Sequence, residues 1–454
     1  MSEEYLVRVE NLKKHFPLKQ GFFQTLFSKE ELTVKAVDGI SFGIRKGEIF
    51  GLAGESGSGK TTTGRLLVRL TNPSDGIVYF EGKDISAVMG RKFRSLGKPE
   101  KGTKCSVPDC GRDAKQTVSS QDLARAGIEA PSGEKGYLCG IHFRDVKKRL
   151  EFRPRLKNVG NVEKGVLCLV VGCGRKAKHS VDPGDIAKGG LQTLSPKGDL
   201  CNLHFKELEQ NLYGWRSLKA LRRMIQIVFQ DPFESLDPRM TIKEIVAEPV
   251  RVQKVAKNES EVEERVKAAL SDVELVPPET FLFRFPHELS GGQRQRVAVA
   301  RAFILDPKFV VADEPVSMLD VSIRAEILNL MVDLVKKKST SVIYITHDLA
   351  LAKHVCDRIA IMYLGKIMET ASSELLIDSP LHPYTQALIA AVPTPDPSHK
   401  RGDVISGEIP SPVNPPPGCR FNTRCPYAHT MCTIEEPPLV EVEKNHFVAC
   451  HLYS

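Results

Sequence analysis

The chain has 454 residues, 41% of them hydrophobic, and a formal net charge of +8, which fits a soluble globular protein of two or three domains with a substantial core. No apolar run approaches the roughly 18 residues that cross a bilayer, and Met1-Ser2-Glu3-Glu4 has neither the basic nor the apolar segment of a secretory leader. A membrane-spanning chain and a secreted, disulfide-stapled one are thereby excluded, so the 11 cysteines are expected as reduced thiols in the cytosol.

Taken in chain order, Ile49-Phe50-Gly51-Leu52-Ala53 reads as the end of a buried strand. It runs into Gly54-Glu55-Ser56-Gly57-Ser58-Gly59-Lys60-Thr61-Thr62, a full match to the phosphate-loop pattern. The glycines let the backbone curl with its N–H groups turned inward, Lys60 brings a cation to the β- and γ-phosphates, and the Thr61 hydroxyl can ligate Mg²⁺. Gly64-Arg65-Leu66-Leu67-Val68 continues as a helix whose N-terminal dipole faces the same anion.

A nucleotide-binding core needs only a short connection between Gly82–Ile85 and Leu221–Gln226, yet over a hundred residues intervene, and they contain a repeat. The first copy carries Cys105, Cys110, Cys139 and His142; the second carries Cys168, Cys173, Cys201 and His204, offset by 63 for the first two ligands and by 62 for the last two. Three thiolates and an imidazole make a closed tetrahedral set suited to structural Zn²⁺, so the insertion is expected to hold two zinc ions. Helix-like runs follow each histidine, at 144–150 and 206–212. Residues 91–216 hold 25 Lys+Arg against 14 Asp+Glu, a net of +11 that leaves −3 for the rest of the chain. No run of aromatic stacking residues accompanies that charge, so it reads as a solvated, docking or regulatory face.

Further on, Leu289-Ser290-Gly291-Gly292-Gln293 sets two glycines beside a serine at a turn that opens a helix, leaving N–H groups and a hydroxyl free for phosphate oxygens. Phe309-Val310-Val311-Ala312 suits a central parallel strand ending in Asp313-Glu314, with Asp313 in the Mg²⁺ shell and Glu314 as general base toward the attacking water. A second such strand, Val342–Thr346, ends in His347, able to sense or stabilise the γ-phosphate. Cys356 stands alone in a helix-like run as a small buried residue. After the proline-rich Pro410–Pro417, four thiols, Cys419, Cys425, Cys432 and Cys450, make a set that suits either Zn²⁺ or an iron–sulfur cluster.

With the phosphate loop, Gln230 in Val228-Phe229-Gln230-Asp231-Pro232, the Ser290–Gln293 signature, Asp313-Glu314, Ser317-Met318-Leu319-Asp320 and His347 all in order, the chain resembles an ABC-transporter nucleotide-binding subunit. The resemblance implies an α/β P-loop ABC ATPase with a RecA-like core, an antiparallel β subdomain and an α-helical signature subdomain. It implies that Gln230 links the γ-phosphate and Mg²⁺ to the membrane subunits, that Ser317–Asp320 cross a dimer interface, that His347 is the switch histidine and that Phe16 stacks on adenine. Phe229–Arg239, Ser379–Thr385 and the tail segments Glu408–Pro412, Gly418–Phe421, Arg424–Pro426 and Val448–Leu452 are similar to oligopeptide/dipeptide importers, whose members can carry a [4Fe-4S] cluster at this tail pattern. Expected domains are 1–95 and 216–378 for the ATPase, 96–215 for the zinc insertion and 379–454 for the transporter-type tail.

The function so implied is ATP hydrolysis powering import of di- or oligopeptides, nickel or sugars from the cytoplasmic face of the membrane. Its partners would be a second ABC ATPase, two integral membrane permease subunits and, indirectly, an extracytoplasmic binding protein. The rival readings are a soluble ABC ATPase acting on nucleic acid, or one inside a cytosolic enzyme complex. Nucleic-acid sensors of this class usually duplicate the ABC core, and a single phosphate loop is present here, so nucleic acid is not the expected partner.

Overall fold

The apolar runs at Ile49–Ala53, Phe309–Asp313 and Ser341–Thr346 are rich in β-branched residues and buried along their whole length, as strands covered on both faces must be. The structure, a computed structural model, describes residues 5–18, 33–85, 102–106, 110–119, 135–144, 166–168, 173–180, 199–201, 218–392, 407–408, 410–413 and 415–453. His204 lies outside these residues, as do most of the expected helical runs at 144–150 and 206–212.

One compact unit comprises Met1–Ser86 with Lys219–Ser454, and a second comprises Ala87–Leu218. In the first, an eight-stranded sheet runs in the order Ile225–Val228, Phe309–Asp313, Ser341–Thr346, Ile49–Ala53, Arg358–Tyr363, Lys366–Ser372, His446–Val448, Val440–Glu443. The first five strands are parallel to their neighbours and the last three pair antiparallel. A separate antiparallel sheet orders Thr33–Arg45, Tyr5–Pro17, Asp75–Phe80 and Lys83–Asp84. The tail therefore does not hang from the ATPase: His446–Val448 extends the central sheet, anchored by Glu369 opposite Val448. The buried His446 Nε2 meets Glu369 Oε1 at 2.7 Å, and Glu369 also accepts the N–H groups of Leu381 and His382 at 2.8 and 2.9 Å, so its charge is fully hydrogen-bonded inside the fold.

Three helices, Ile242–Gln253, Glu259–Asp272 and Gly291–Phe303, pack on one another. Each begins where the sequence supplies a cap, at Thr241, Asn258 and Ser290, whose side-chain oxygens accept a backbone N–H two or three residues into the helix. Val246, Val250, Val266, Leu270, Val297 and Val299 on these helices are all fully buried.

In the second unit, two small hairpins repeat one pattern. Gln116–Ser119 pairs with Lys135–Leu138, and His179–Ser180 with Asp199–Leu200. Ahead of each sits an isolated antiparallel bridge, Lys104 to Asp113 in the first copy and Leu167 to Lys176 in the second. The equivalent glycines Gly111 and Gly174 both turn with φ +61.

Ile343 lies at the middle of the central strand with no exposed surface. Ile343→Ala is expected to remove about 2–5 kcal/mol of stability, the cost of lost burial plus a cavity, read as a lowered denaturant midpoint.

Candidate functional site

The sheet register determines what meets at its edge. Asp313 is level with Ile345, and Thr346 with Ala53, so the residues that follow these strands emerge side by side. From Ala53 the chain enters the phosphate loop, where Gly54, Gly57 and Gly59 take φ of +148, +77 and +104. A Cβ on Gly54 would fall 2.1 Å from the Met362 carbonyl oxygen, and one on Gly59 2.1 Å from that of Ala36, so glycine is required by packing as well as by conformation. The helix Lys60–Leu67 starts directly on this curl, aiming its first N–H groups at the loop.

Lys60 is buried beneath the loop, its Nζ donating to the carbonyls of Gly54 at 2.8 Å and Glu55 at 2.9 Å. Burial lowers its pKa, opposed by the nearby carboxylates of Glu314, Asp313 and Glu55. Thr61 Oγ1 donates to Asp313 Oδ1 at 3.0 Å, and burial raises the Asp313 pKa against that bond. Glu314 breaks from the strand with φ +44 while its N–H still bonds the Ile345 carbonyl at 3.0 Å. Its Oε2 is bracketed by Gln230 Nε2 at 3.1 Å and His347 Nδ1 at 3.2 Å. Three residues from three segments, Thr61, Gln230 and His347, thus converge on two adjacent carboxylates, and Thr61, Asp313 and Gln230 offer the hard oxygen donors that Mg²⁺ requires.

Among the rest of the loop, the buried Ser58 accepts the Gly365 N–H through its carbonyl at 2.9 Å, and its own N–H reaches the Glu55 carbonyl at 3.3 Å. Phe16 pairs with Val34 near the end of the first strand; it is 40% exposed, with the Lys14 ammonium 4.8 Å from its ring centroid. An exposed aromatic face of this kind is free to stack on a flat ring. In the signature, the Ser290 hydroxyl accepts the Gln293 N–H at 3.3 Å and Gln293 Oε1 accepts the Ser290 N–H at 3.0 Å. Gly292 lies against the Ile323 side chain, where a Cβ would come within 2.8 Å. Among the described residues no hydrogen bond joins Ser290–Gln293 to Gly54–Thr62.

The insertion brings its ligands together. Cys105, Cys110, Cys139 and His142 have ligand atoms all within 4.8 Å of one another, and so do Cys168, Cys173 and Cys201. Cys110 and Cys139 sulfurs are 3.8 Å apart, Cys173 and Cys201 sulfurs 3.7 Å, and His142 Nδ1 is 3.4 Å from Cys105 Sγ. Burial opposes ionisation of Cys139, but N–H groups of His142 and Ile141 outweigh it and bring that thiol down to about 7. The tail thiols behave differently. Cys419, Cys425, Cys432 and Cys450 line one small cavity, yet the groups of ligand atoms within 4.8 Å found among the described residues do not include them. Burial pushes the Cys419 thiol up to about 12 and raises those of Cys425 and Cys450.

Residues 37–109 and 191–317 match the model of the ABC transporter family, and residues 368–432 match that of the oligopeptide/dipeptide transporter C-terminal region. The oligopeptide transport ATP-binding protein AppF of Bacillus subtilis is 34% identical over 100% of this chain and 99% of its own. A putative peptide import ATP-binding protein of Brucella ovis is 35% identical over 99% and 98%. The putative oligopeptide transport ATP-binding protein YkfD of B. subtilis is 35% identical over 99% and 95%. The chain belongs to the ABC transporter ATP-binding family. Its P-loop ABC ATPase fold follows from that membership, and the ABC model leaves 110–190, most of the insertion, unmatched.

Sequence reasoning about this ABC ATPase missed three residues that touch its phosphate loop or its thiols. The Tyr384 hydroxyl accepts the Glu55 N–H at 3.0 Å, Arg424 forks onto the Glu55 carboxylate at 2.8 and 3.2 Å, and His429 Nδ1 lies 3.3 Å from Cys432 Sγ. Each joins positions far apart in the chain or outside the motif spacing, so no local pattern announces it. Gly59→Ala should cost about 1–3 kcal/mol from its backbone conformation, more with the Ala36 clash, and should weaken nucleotide binding in a direct titration.

Proposed function

We infer that this chain is the ATP-binding and hydrolysing subunit of an ABC importer for oligopeptides or dipeptides, acting peripherally at the cytoplasmic face of the membrane. The observation that carries the reading is the convergence of Gln230 and His347 on Glu314 beside the Thr61–Asp313 pair, within a chain related over its full length to peptide-transport ATP-binding proteins. No helix among the described residues is long and apolar enough to cross a membrane.

The assigned roles follow from the chemistry. N–H groups of Gly54–Thr62 cradle the phosphates and Lys60 neutralises them. When bound, Mg²⁺ neutralises charge between the β- and γ-phosphates, and Thr61, Asp313 and Gln230 would hold it. Glu314 takes the proton of the attacking water, held in place by Gln230 and His347. Phe16 stacks on the adenine. Ser290–Gln293, with hydroxyl and N–H groups at a helix start, completes the site of a second ABC subunit across a dimer. A groove lined by Phe233, Pro238, Met240, Glu248 and Arg301 lies a few residues from Gln230 and suits a segment of either of two membrane permease subunits. An extracytoplasmic binding protein would deliver the cargo, with nickel or sugars as the other candidates.

Two Zn²⁺ ions belong to the insertion. A tetrahedral ion with Zn–S of about 2.3 Å separates its sulfurs by about 3.8 Å, the spacing found in both copies. His204 is assigned as the fourth ligand of the second copy by its place in the repeat. For the tail, four thiols lining one cavity suit a [4Fe-4S] cluster or a zinc ion, and the resemblance of this region to oligopeptide/dipeptide importers, whose members can carry such a cluster, favours the cluster.

Glu314→Gln should keep ATP binding and lose roughly 100- to 10,000-fold in turnover, with the closed dimer accumulating on size-exclusion chromatography; wild-type turnover would remove Glu314 as base. Anaerobically purified protein should contain two zinc ions per chain, plus iron and labile sulfide, by elemental analysis. Cys139→Ser should remove one zinc and leave the iron unchanged. A third zinc in place of iron would reassign the tail. Co-purification with two membrane subunits tests the importer reading directly.

A further inference from the structure

Glu55 is held by all three of its polar groups, and two of the three holders come from the tail. Its carbonyl accepts Lys60 Nζ at 2.9 Å, its N–H donates to the Tyr384 hydroxyl at 3.0 Å, and its carboxylate takes both arms of Arg424, at 2.8 and 3.2 Å. The Arg424 side chain is 6% exposed and that of Glu55 23%, so water screens this pair little and the two-pronged geometry fixes the loop in direction as well as distance. Arg424 also donates to the Tyr363 hydroxyl at 3.3 Å.

The tail side of the contact is built on the cysteine loop. Arg424 directly precedes Cys425, and Phe421 lies between Cys419 and Cys425. Phe421 stacks edge-on against Tyr363 with ring centroids 5.5 Å apart and lies 5.3 Å from Tyr384, which itself meets Tyr363 at 4.6 Å. From the same loop, the buried Arg420 reaches Asp38 Oδ2 at 2.5 Å, and Asp38 Oδ1 holds His15 Nε2 at 2.9 Å, next to Phe16. Backbone bonds join Cys419 to Cys432, Asn422 to Cys419, Arg424 to Phe421 and Ala428 to Cys425, and the Asn422 side-chain amide donates to the Pro417 and Cys432 carbonyls at 2.8 and 3.1 Å. Whatever draws the four thiols together therefore acts on the same loop that carries Arg420 and Arg424.

We propose that the C-terminal cysteine loop is a clamp on the nucleotide site, in which Arg424 acts through Glu55 as a positioning residue for the phosphate loop and its lysine. The coupling to a tail-bound metal rests on the metal reading given above; the clamp itself rests on Arg424. Ordering of the thiols raises nucleotide affinity, and by linkage nucleotide tightens the hold on whatever the thiols bind. Through Arg424 the loop touches Glu55 of the phosphate loop, and through Arg420 it touches Asp38, whose partner His15 directly precedes Phe16.

The test is calorimetric titration of the full chain with Mg-ADP, which needs no turnover. Arg424→Ala should weaken ADP binding roughly 5- to 150-fold, the usual range for coupled sites, and Arg424→Lys should recover only part because it keeps the charge and loses the fork. The double variant Glu55→Ala/Arg424→Ala should bind no more weakly than the weaker single variant. ADP should protect the tail-bound metal from a chelator in the parent and not in Arg424→Ala. Unchanged ADP affinity in Arg424→Ala protein of parental metal content and thermal midpoint overturns the clamp, as do additive losses in the double variant. If Arg424→Ala does not fold, Arg424→Lys with Glu55→Gln supplies the same cycle. Metal removal that leaves ADP affinity unchanged overturns the transmission from thiols to loop. A tail that carries no metal overturns the metal reading alone, and the Arg424 titration still decides the clamp.

Discussion

The phosphate site depends on one constraint, the common level at which parallel strands end. Ala53, Asp313 and Thr346 sit at neighbouring register positions of a sheet buried on both faces, so the loop after one strand, the carboxylates after the second and the histidine after the third must share one edge. A slip of a single residue would carry every side chain to the opposite face and break its close packing there. The fully buried Phe309, Val310, Val311, Val342, Ile343 and Ile345 forbid that slip energetically. Precision at the site is in this sense a by-product of core packing.

Charge is the cost of that location. Lys60 and Asp313 are almost fully buried, and burial shifts each toward its neutral form. They are kept by mutual neighbours and by backbone carbonyls, and an anionic ligand with a divalent cation supplies the remaining compensation. Glu314 sits in a left-handed backbone conformation, a strain that persists because its N–H remains tied to the adjacent strand. Strain and buried charge are thus concentrated where nucleotide would bind.

The two sets of cysteines obey different geometry. In the insertion, sulfurs 29 and 28 residues apart in sequence come to about the separation that one tetrahedral ion imposes, and the repeat is visible both in spacing and in the paired bridges at Lys104 and Leu167. In the tail, the four thiols line one cavity and are set into the ATPase by a strand of its own sheet. That integration is what gives the cysteine loop its reach to Glu55 and Asp38.

Much of this was legible from residues alone. The phosphate loop, the strand ends at Asp313 and Thr346 and the capped start of the signature helix each depend on neighbours within a short stretch, where spacing and side-chain type fix local chemistry, and the repeat of the cysteine spacing pointed to the two clusters that form among the described residues. The contacts from Arg424 to Glu55 and from Arg420 to Asp38 span 369 and 382 residues. Sequence determined which groups could do the chemistry, because that is a matter of atoms and short spacing; only the tertiary structure decided that the tail grips the phosphate loop, because that contact exists only once the sheet has brought the chain's end back to its beginning.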